Sequence, residues 1–164
     1  MSRLRAGELL AGAGAVGLLL VLCLNWFSLD RPPGLHLIGT LHTTGWTSLG
    51  WLLVAMLTIV AFGGLSIAYM TLRRTSPAWP VGAAVLTVAV GGLTFLILLV
   101  RVLTQPGLGA GLPNAMVLVE VPAYLGLLFT ALIPLGAWLA LRDERLHAPE
   151  SAYTPPPARP VPGT

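Results

Sequence analysis

Two charged side chains, Arg101 and Glu120, are the strongest candidates for a polar contact in an otherwise apolar sequence. Arg101 lies at the end of one apolar run and Glu120 begins the next, with residues 102–119 between them. A pair there would lower the cost of holding either charge near hydrocarbon. Alternatively, each side chain extends separately to the lipid headgroups. Both interpretations stay open, and either role is structural.

A second polar group is expected near the same side of the chain. Its members, the candidate outer polar cluster, are Asn25, Asp30, Arg31, His36 and His42. Two histidines and an aspartate are side chains that zinc accepts. Their spacing is irregular and no fourth ligand is evident, so we favour surface histidines and predict no metal site. The single cysteine, Cys23, supplies neither an internal disulfide nor a multi-cysteine metal site.

No arrangement of residues typical of catalysis accompanies these groups. The sequence has no lysine, no His-Glu-x-x-His and no Cys-x-x-Cys, and no histidine falls within its apolar spans. No acidic or basic residue lies near the middle of a predicted span, where ion-coupled carriers usually hold one. The sequence therefore predicts a protein that is not an enzyme, binds no cofactor and lacks the usual features of a transporter.

The composition identifies the environment of the chain. Hydrophobic residues make up 55% of the 164 residues, charged residues only 9%, and the mean hydropathy is +0.84. Soluble domains carry about 25% charged residues. This high apolar content and low charge content exclude a soluble enzyme, a disulfide-rich secreted module and a disordered protein. Uncharged runs predict helical spans at about 9–27, 49–72, 81–103 and 121–141, each long enough for a hydrocarbon core of about 30 Å.

The predicted fold is all-α: a polytopic membrane protein whose residues 1–145 form a four-transmembrane-helix bundle of two helical hairpins. The arginines set its orientation, because cytoplasmic loops are enriched in basic residues. One side would hold Arg3, Arg5, Arg73, Arg74, Arg142, Arg145 and Arg159, and the other Arg31 and Arg101. Both termini are therefore predicted to be cytoplasmic. Residues 146–164 are rich in proline and are expected to form a disordered cytoplasmic tail.

The connecting segments carry further expectations. Residues 28–48 form a long outer loop, in which 35–44 could make a short hairpin, and residues 104–119 read as irregular because of their glycines and prolines. Aromatic residues are expected at the two membrane interfaces. Those at the outer side are Trp26, Trp51 and Tyr124, and those at the inner side are Tyr69, Trp79 and Trp138. Glu8 opens the first span and is expected to approach Arg73 or Arg142.

Several short elements, taken in order, resemble one family of membrane proteins. They are Gly7-Glu8, Asn25-Trp26-Phe27, Thr44-Gly45-Trp46, Ser76-Pro77-Ala78-Trp79-Pro80-Val81, Arg101-Val102-Leu103, Pro106-Gly107 and the segment from Gly136 to Arg145. Over about residues 3–145 the chain resembles a family of small four-span integral membrane proteins of high-GC actinobacteria. The resemblance implies topology and origin, and it implies no activity.

Together these observations predict an integral protein of the bacterial plasma membrane. We expect a non-enzymatic accessory or interaction subunit, whose partners are the lipid bilayer and either another membrane protein or a second copy of itself. The alternative is a small channel- or carrier-like protein for a small solute, acting alone or as an oligomer. The net charge of +3 does not indicate nucleic-acid binding, because the arginines are scattered and form no basic stripe.

Overall fold

Four long helices dominate the computed structural model, which describes residues 6–29, 43–73, 78–104 and 117–147. In chain order the elements are α1 (Ala6–Leu22), β1 (Asn25–Leu29), β2 (Thr43–Thr44), α2 (Gly45–Ser48), α3 (Trp51–Arg73), α4 (Ala78–Leu103), β3 (Val117–Val119) and α5 (Val121–His147). The prediction of a mostly helical chain is confirmed. Helices α3, α4 and α5 are long and apolar enough to cross a membrane, whereas α1 is apolar but shorter, at 17 residues.

The helices run alternately up and down and pack as a four-membered bundle. Helix α1 packs against α3 and α5, helix α4 packs against the same two helices, and α3 also touches α5. The bundle interior holds fully buried aliphatic side chains from every long helix, among them Leu18, Leu57, Leu98 and Ile133. The β-strands lie where α1 ends and α5 begins, and we call this the sheet end of the bundle.

The outside of the bundle is covered with large apolar side chains. Exposed leucine, isoleucine, valine and aromatic residues occur on all four long helices, for example Leu20, Phe62, Leu86 and Leu128. A soluble monomer rarely exposes continuous apolar surface of this extent. Because this surface surrounds a well-packed interior, it is the surface expected of a bundle whose solvent is lipid.

The sheet end contains a small antiparallel sheet with the strand order β2-β1-β3. Phe27 pairs with Val119 and Leu29 pairs with Val117 on one side of β1, while Asn25 pairs with Thr44 on the other. The all-α prediction is therefore incomplete. The expectation that residues 104–119 are irregular is also wrong for Val117–Val119, because these residues supply the partner strand that β1 needs.

The first apolar run does not remain helical to Phe27 as predicted. Helix α1 ends at Leu22, and the chain enters β1 at Asn25. Backbone amides and carbonyls that leave a helix near lipid must find other hydrogen-bond partners. Pairing with β2 and β3 supplies these partners, which explains why the chain becomes extended at this point.

The remaining boundaries differ from the predictions at helix ends. Helix α4 begins at Ala78, which places Pro80 in its first turn, where a missing amide hydrogen costs little. Helix α5 continues to His147, so the first residues of the predicted tail are helical. The rest of that tail, and residues 35–42 of the predicted hairpin, lie outside the described residues. Thr43 and Thr44 pair with β1.

Candidate functional site

Trp26 is the centre of the sheet end. Its side chain is completely buried, and its indole Nε1 donates a hydrogen bond of 2.8 Å to the carbonyl oxygen of Val21. Gly126 of α5 and Gly45 of α2 leave the space that the ring occupies, because a Cβ atom at either position would overlap the indole. The expectation of an interfacial Trp26 is wrong: the ring is too deeply enclosed to meet lipid headgroups.

Glu120 joins the sheet to the start of α5. Its Oε1 accepts a hydrogen bond of 2.6 Å from the hydroxyl of Ser28, and its backbone amide donates one of 2.9 Å to the carbonyl oxygen of Trp26. Ser28 is buried and Glu120 is partly buried. These two hydrogen bonds connect β1 to the junction between β3 and α5.

Arg101 lies near the end of α4, at the side of the bundle that faces α3. It lines an open cleft of about 490 Å³ together with Thr104, the apolar side chains of Ile97 and Val100, and residues 49–53. The hydrogen bond of the Glu120 carboxylate is with the hydroxyl of Ser28. Arg101 is partly buried. The Arg101–Glu120 ion pair stays a prediction.

The candidate outer polar cluster falls mostly outside the described residues. Only Asn25 is described, as an exposed residue of β1 paired with Thr44. Asp30, Arg31, His36 and His42 are not part of the described structure. Within residues 6–29, 43–73, 78–104 and 117–147, no group of three histidine, cysteine, aspartate or glutamate residues could hold a metal ion.

A second polar contact lies at the opposite end of the bundle. Glu8 is only 7% exposed, in the first turn of α1, where the helix dipole favours a negative charge. The hydroxyl of Thr71 donates a hydrogen bond of 3.0 Å to Glu8 Oε1. The guanidinium of Arg73 lies over the ring of Tyr69 and that of Arg142 over Trp138, at 5.3 and 5.9 Å from the ring centres.

Sequence reasoning missed both hydroxyl partners, Ser28 and Thr71. Each is a single small polar residue beside large apolar ones, and neither forms a recognisable motif with its acidic partner. Ser28 and Glu120 are 92 positions apart, and Glu8 and Thr71 are 63 apart. Periodicity along one helix cannot report such contacts, although an acidic residue opening an apolar helix does signal that a donor is needed.

The buried threonines of the bundle form hydrogen bonds within their own helices. The buried hydroxyls of Thr87, Thr94 and Thr130 each donate a 2.7 Å hydrogen bond to the carbonyl oxygen four residues earlier in the same helix. In the described part of the chain, no buried side-chain nitrogen or oxygen lacks a hydrogen-bond partner. These threonines therefore present mainly their methyl groups to neighbouring helices.

These features define the class of protein: a small apolar helical bundle of the membrane-spanning type, closed at one end by a three-stranded sheet. Comparison with protein-family models, with curated proteins and with solved structures found no match.

We predict that Ser28 and Glu120 stabilise the protein jointly. Because Ser28→Ala leaves a partly buried carboxylate without its donor, it should cost about 1–3 kcal/mol of unfolding free energy. Glu120→Gln should cost less, since the amide oxygen still accepts a hydrogen bond. The measurement is a double-mutant cycle on the purified protein, with denaturant unfolding followed by circular dichroism.

A second double-mutant cycle tests the Arg101–Glu120 prediction. If the two residues interact, Arg101→Ala combined with Glu120→Ala should destabilise the protein by less than the sum of the single changes. Exchanging the two charges should restore part of the loss. Additive effects for Arg101, beside clear coupling for Ser28, would show that the arginine extends to the headgroups independently.

Proposed function

We propose that this chain is a four-span integral protein of the bacterial plasma membrane, acting as a non-enzymatic accessory or interaction subunit. Both termini are cytoplasmic and the sheet end faces outward. The observation that carries the proposal is a core of buried apolar side chains, in which no buried polar side-chain atom of the described residues lacks a partner, together with an apolar exterior on all four long helices.

The contacts of α1 and the start of β1 with α5 support a fourth span despite the shortness of α1. Gly7 packs against Ala140, Gly14 packs against Ile133, and Trp26 packs against Gly126. The segment from residue 7 to residue 26 therefore runs alongside α5 from residue 140 to residue 126. That part of α5 is about 21 Å long at the helical rise. A chain that accompanies a spanning helix over this distance crosses most of the same hydrocarbon.

The orientation rests on the arginines and has a direct test. In a Cys23→Ala background, cysteine at Thr47 should react with a membrane-impermeant maleimide in intact cells, and cysteine at Ser151 should react only after permeabilisation. Thr47 is suitable because its side chain is exposed at the sheet end. Cys23 must be removed because it is exposed at the same end. The reverse labelling pattern would contradict the orientation.

The interior contains glycines and threonines whose hydroxyls donate hydrogen bonds within their own helices, and this favours an interaction subunit over a carrier. At Gly7 and Gly136 the backbones of α1 and α5 approach each other closely, at the end of the bundle opposite the sheet. The alternative, a channel- or carrier-like protein for a small solute, has one feature in its favour. Pro134 interrupts the hydrogen-bond ladder of α5. It packs against Gly91 of α4, since a Cβ atom added at Gly91 would lie 3.1 Å from the Cβ atom of Pro134.

The subunit proposal is tested by identifying partners and by assaying transport. We expect mild-detergent purification from the native membrane to recover one membrane partner or a second copy of the chain in fixed proportion. A variant with a lipid-facing residue changed, such as Leu86→Phe, serves as a matched control for non-specific association. If the chain is recovered alone, and if proteoliposomes that contain it release small solutes, the channel- or carrier-like alternative is correct.

A further inference from the structure

The cleft beside Arg101 is the feature of the described surface that combines a charge with apolar walls. It lies at the sheet end, between the start of α3 and the end of α4. One wall is formed by Leu49, Trp51 and Leu52, and the other by Ile97 and Val100. Trp51 is 82% exposed, so the cleft opens to the outside of the bundle.

Among the described residues that line this cleft, Arg101 is the charged one, and none is a carboxylate. The hydroxyl of Thr104 donates to the carbonyl oxygen of Val100 at 2.9 Å. Gly50, which precedes α3 with a φ of 78°, has no side chain that could accept a hydrogen bond from the first amides of that helix. The polar part of the cleft therefore attracts an anion.

The surface that continues from the cleft is apolar. Farther from the sheet end than Arg101, α4 exposes Leu93, Leu96 and Ile97, and α3 exposes Ile59. A small soluble anion would leave these side chains uncovered. A molecule with a phosphate head and hydrocarbon chains would cover them and place its charge beside the guanidinium, which can bind a phosphate through two hydrogen bonds.

We propose that this cleft binds one anionic glycerophospholipid from the leaflet at the sheet end. The lipid phosphate contacts Arg101, and an acyl chain lies against Ile97 and Val100. The apolar walls hold the lipid chain and the arginine selects the anionic head. This inference rests on the proposal that the chain spans a membrane, and it adds a site that distinguishes one lipid class from another.

The test is native mass spectrometry of the purified full chain, released from detergent that contains equal amounts of phosphatidylglycerol and phosphatidylcholine. We expect one retained phosphatidylglycerol per chain. Arg101→Gln should reduce the preference for phosphatidylglycerol about tenfold, the factor that corresponds to 1.4 kcal/mol of binding free energy. Arg142→Gln is the matched control: it removes an arginine that lies over Trp138 at the other end, and it should leave the preference unchanged.

A second variant tests the cleft without changing a charge. Val100→Phe places a larger side chain in the cleft and should reduce phosphatidylglycerol retention, while circular dichroism and gel filtration show that the protein stays folded. Equal losses from Arg101→Gln and Arg142→Gln would overturn the proposal in favour of non-specific headgroup attraction.

Two other outcomes would also overturn it. Displacement of the lipid by inorganic phosphate would identify a simple anion site, and a dimer abolished by Val100→Phe would identify a contact between two copies. Failure of membrane insertion is measured separately, by resistance of the chain to extraction with alkaline carbonate. That result would contradict the membrane-spanning proposal itself, so the two failures are distinguishable.

Discussion

Replacing Trp26 with alanine is expected to lower the free energy of unfolding by about 3–5 kcal/mol, the range for removing a large aromatic side chain from a filled core. The indole contacts Gly45 and Gly126, so it joins α2 and α5 to the first strand. Neither glycine has a side chain that could move into the vacated volume. The change also removes the hydrogen bond to the Val21 carbonyl at the end of α1.

The loss should appear as a lower unfolding midpoint in denaturant, followed by circular dichroism in detergent. Trp26→Phe separates the two contributions, because it retains part of the ring contact but removes the indole donor. Trp138→Ala is the matched control. Trp138 is half exposed on α5 and lies next to Arg142, so its removal should cost little. Equal effects of the two alanine changes would mean that Trp26 is not the residue holding the sheet end together.

Replacing Gly136 with leucine should separate α1 from α5 and prevent the bundle from closing. A Cβ atom at Gly136 would overlap the backbone amide nitrogen of Ala11 and lie 2.6 Å from the carbonyl oxygen of Gly7. Both obstacles are backbone atoms, which cannot move aside as a flexible side chain can. Even Gly136→Ala should therefore cost about 1–3 kcal/mol, the range for forcing an extra group into a packed core.

This contact matters because lipid is as apolar as the side chains it replaces. Helices in a membrane associate mainly through close van der Waals packing, so residues without side chains have a direct energetic role. Gly92→Ala in α4 is the matched control, since a Cβ atom there would meet nothing within 4 Å. It should be neutral or stabilise the helix by about 0.5–1 kcal/mol.

The measurement compares the fraction of folded protein after purification and the midpoint of thermal unfolding in the same detergent. We expect Gly136→Ala to reduce both and Gly136→Leu to yield mostly aggregated protein. If Gly136→Ala behaved like Gly92→Ala, the two helices would be farther apart than the structure places them.

The sequence alone determined the long helices and their apolar surroundings, because these depend on local properties. Uninterrupted apolar runs predict helices wherever the backbone must satisfy its own hydrogen bonds, and α3, α4 and α5 occupy three such runs. The importance of Glu120 was also predictable, since an acidic residue that opens an apolar run must have polar contacts. The arginine bias predicts the orientation, which the labelling experiment tests.

Only the tertiary structure decided how the first apolar run ends and which residues it meets. Residues 9–27 carry no charged side chain, yet the helix stops at Leu22, and β2 and β3 supply hydrogen-bond partners to the chain that follows. The same arrangement buries Trp26, which a local pattern assigns to the interface, and brings Ser28 to Glu120. These contacts join residues far apart along the chain. Local hydropathy measures only the preference of each segment for lipid, so it cannot report which distant segment completes its hydrogen bonds.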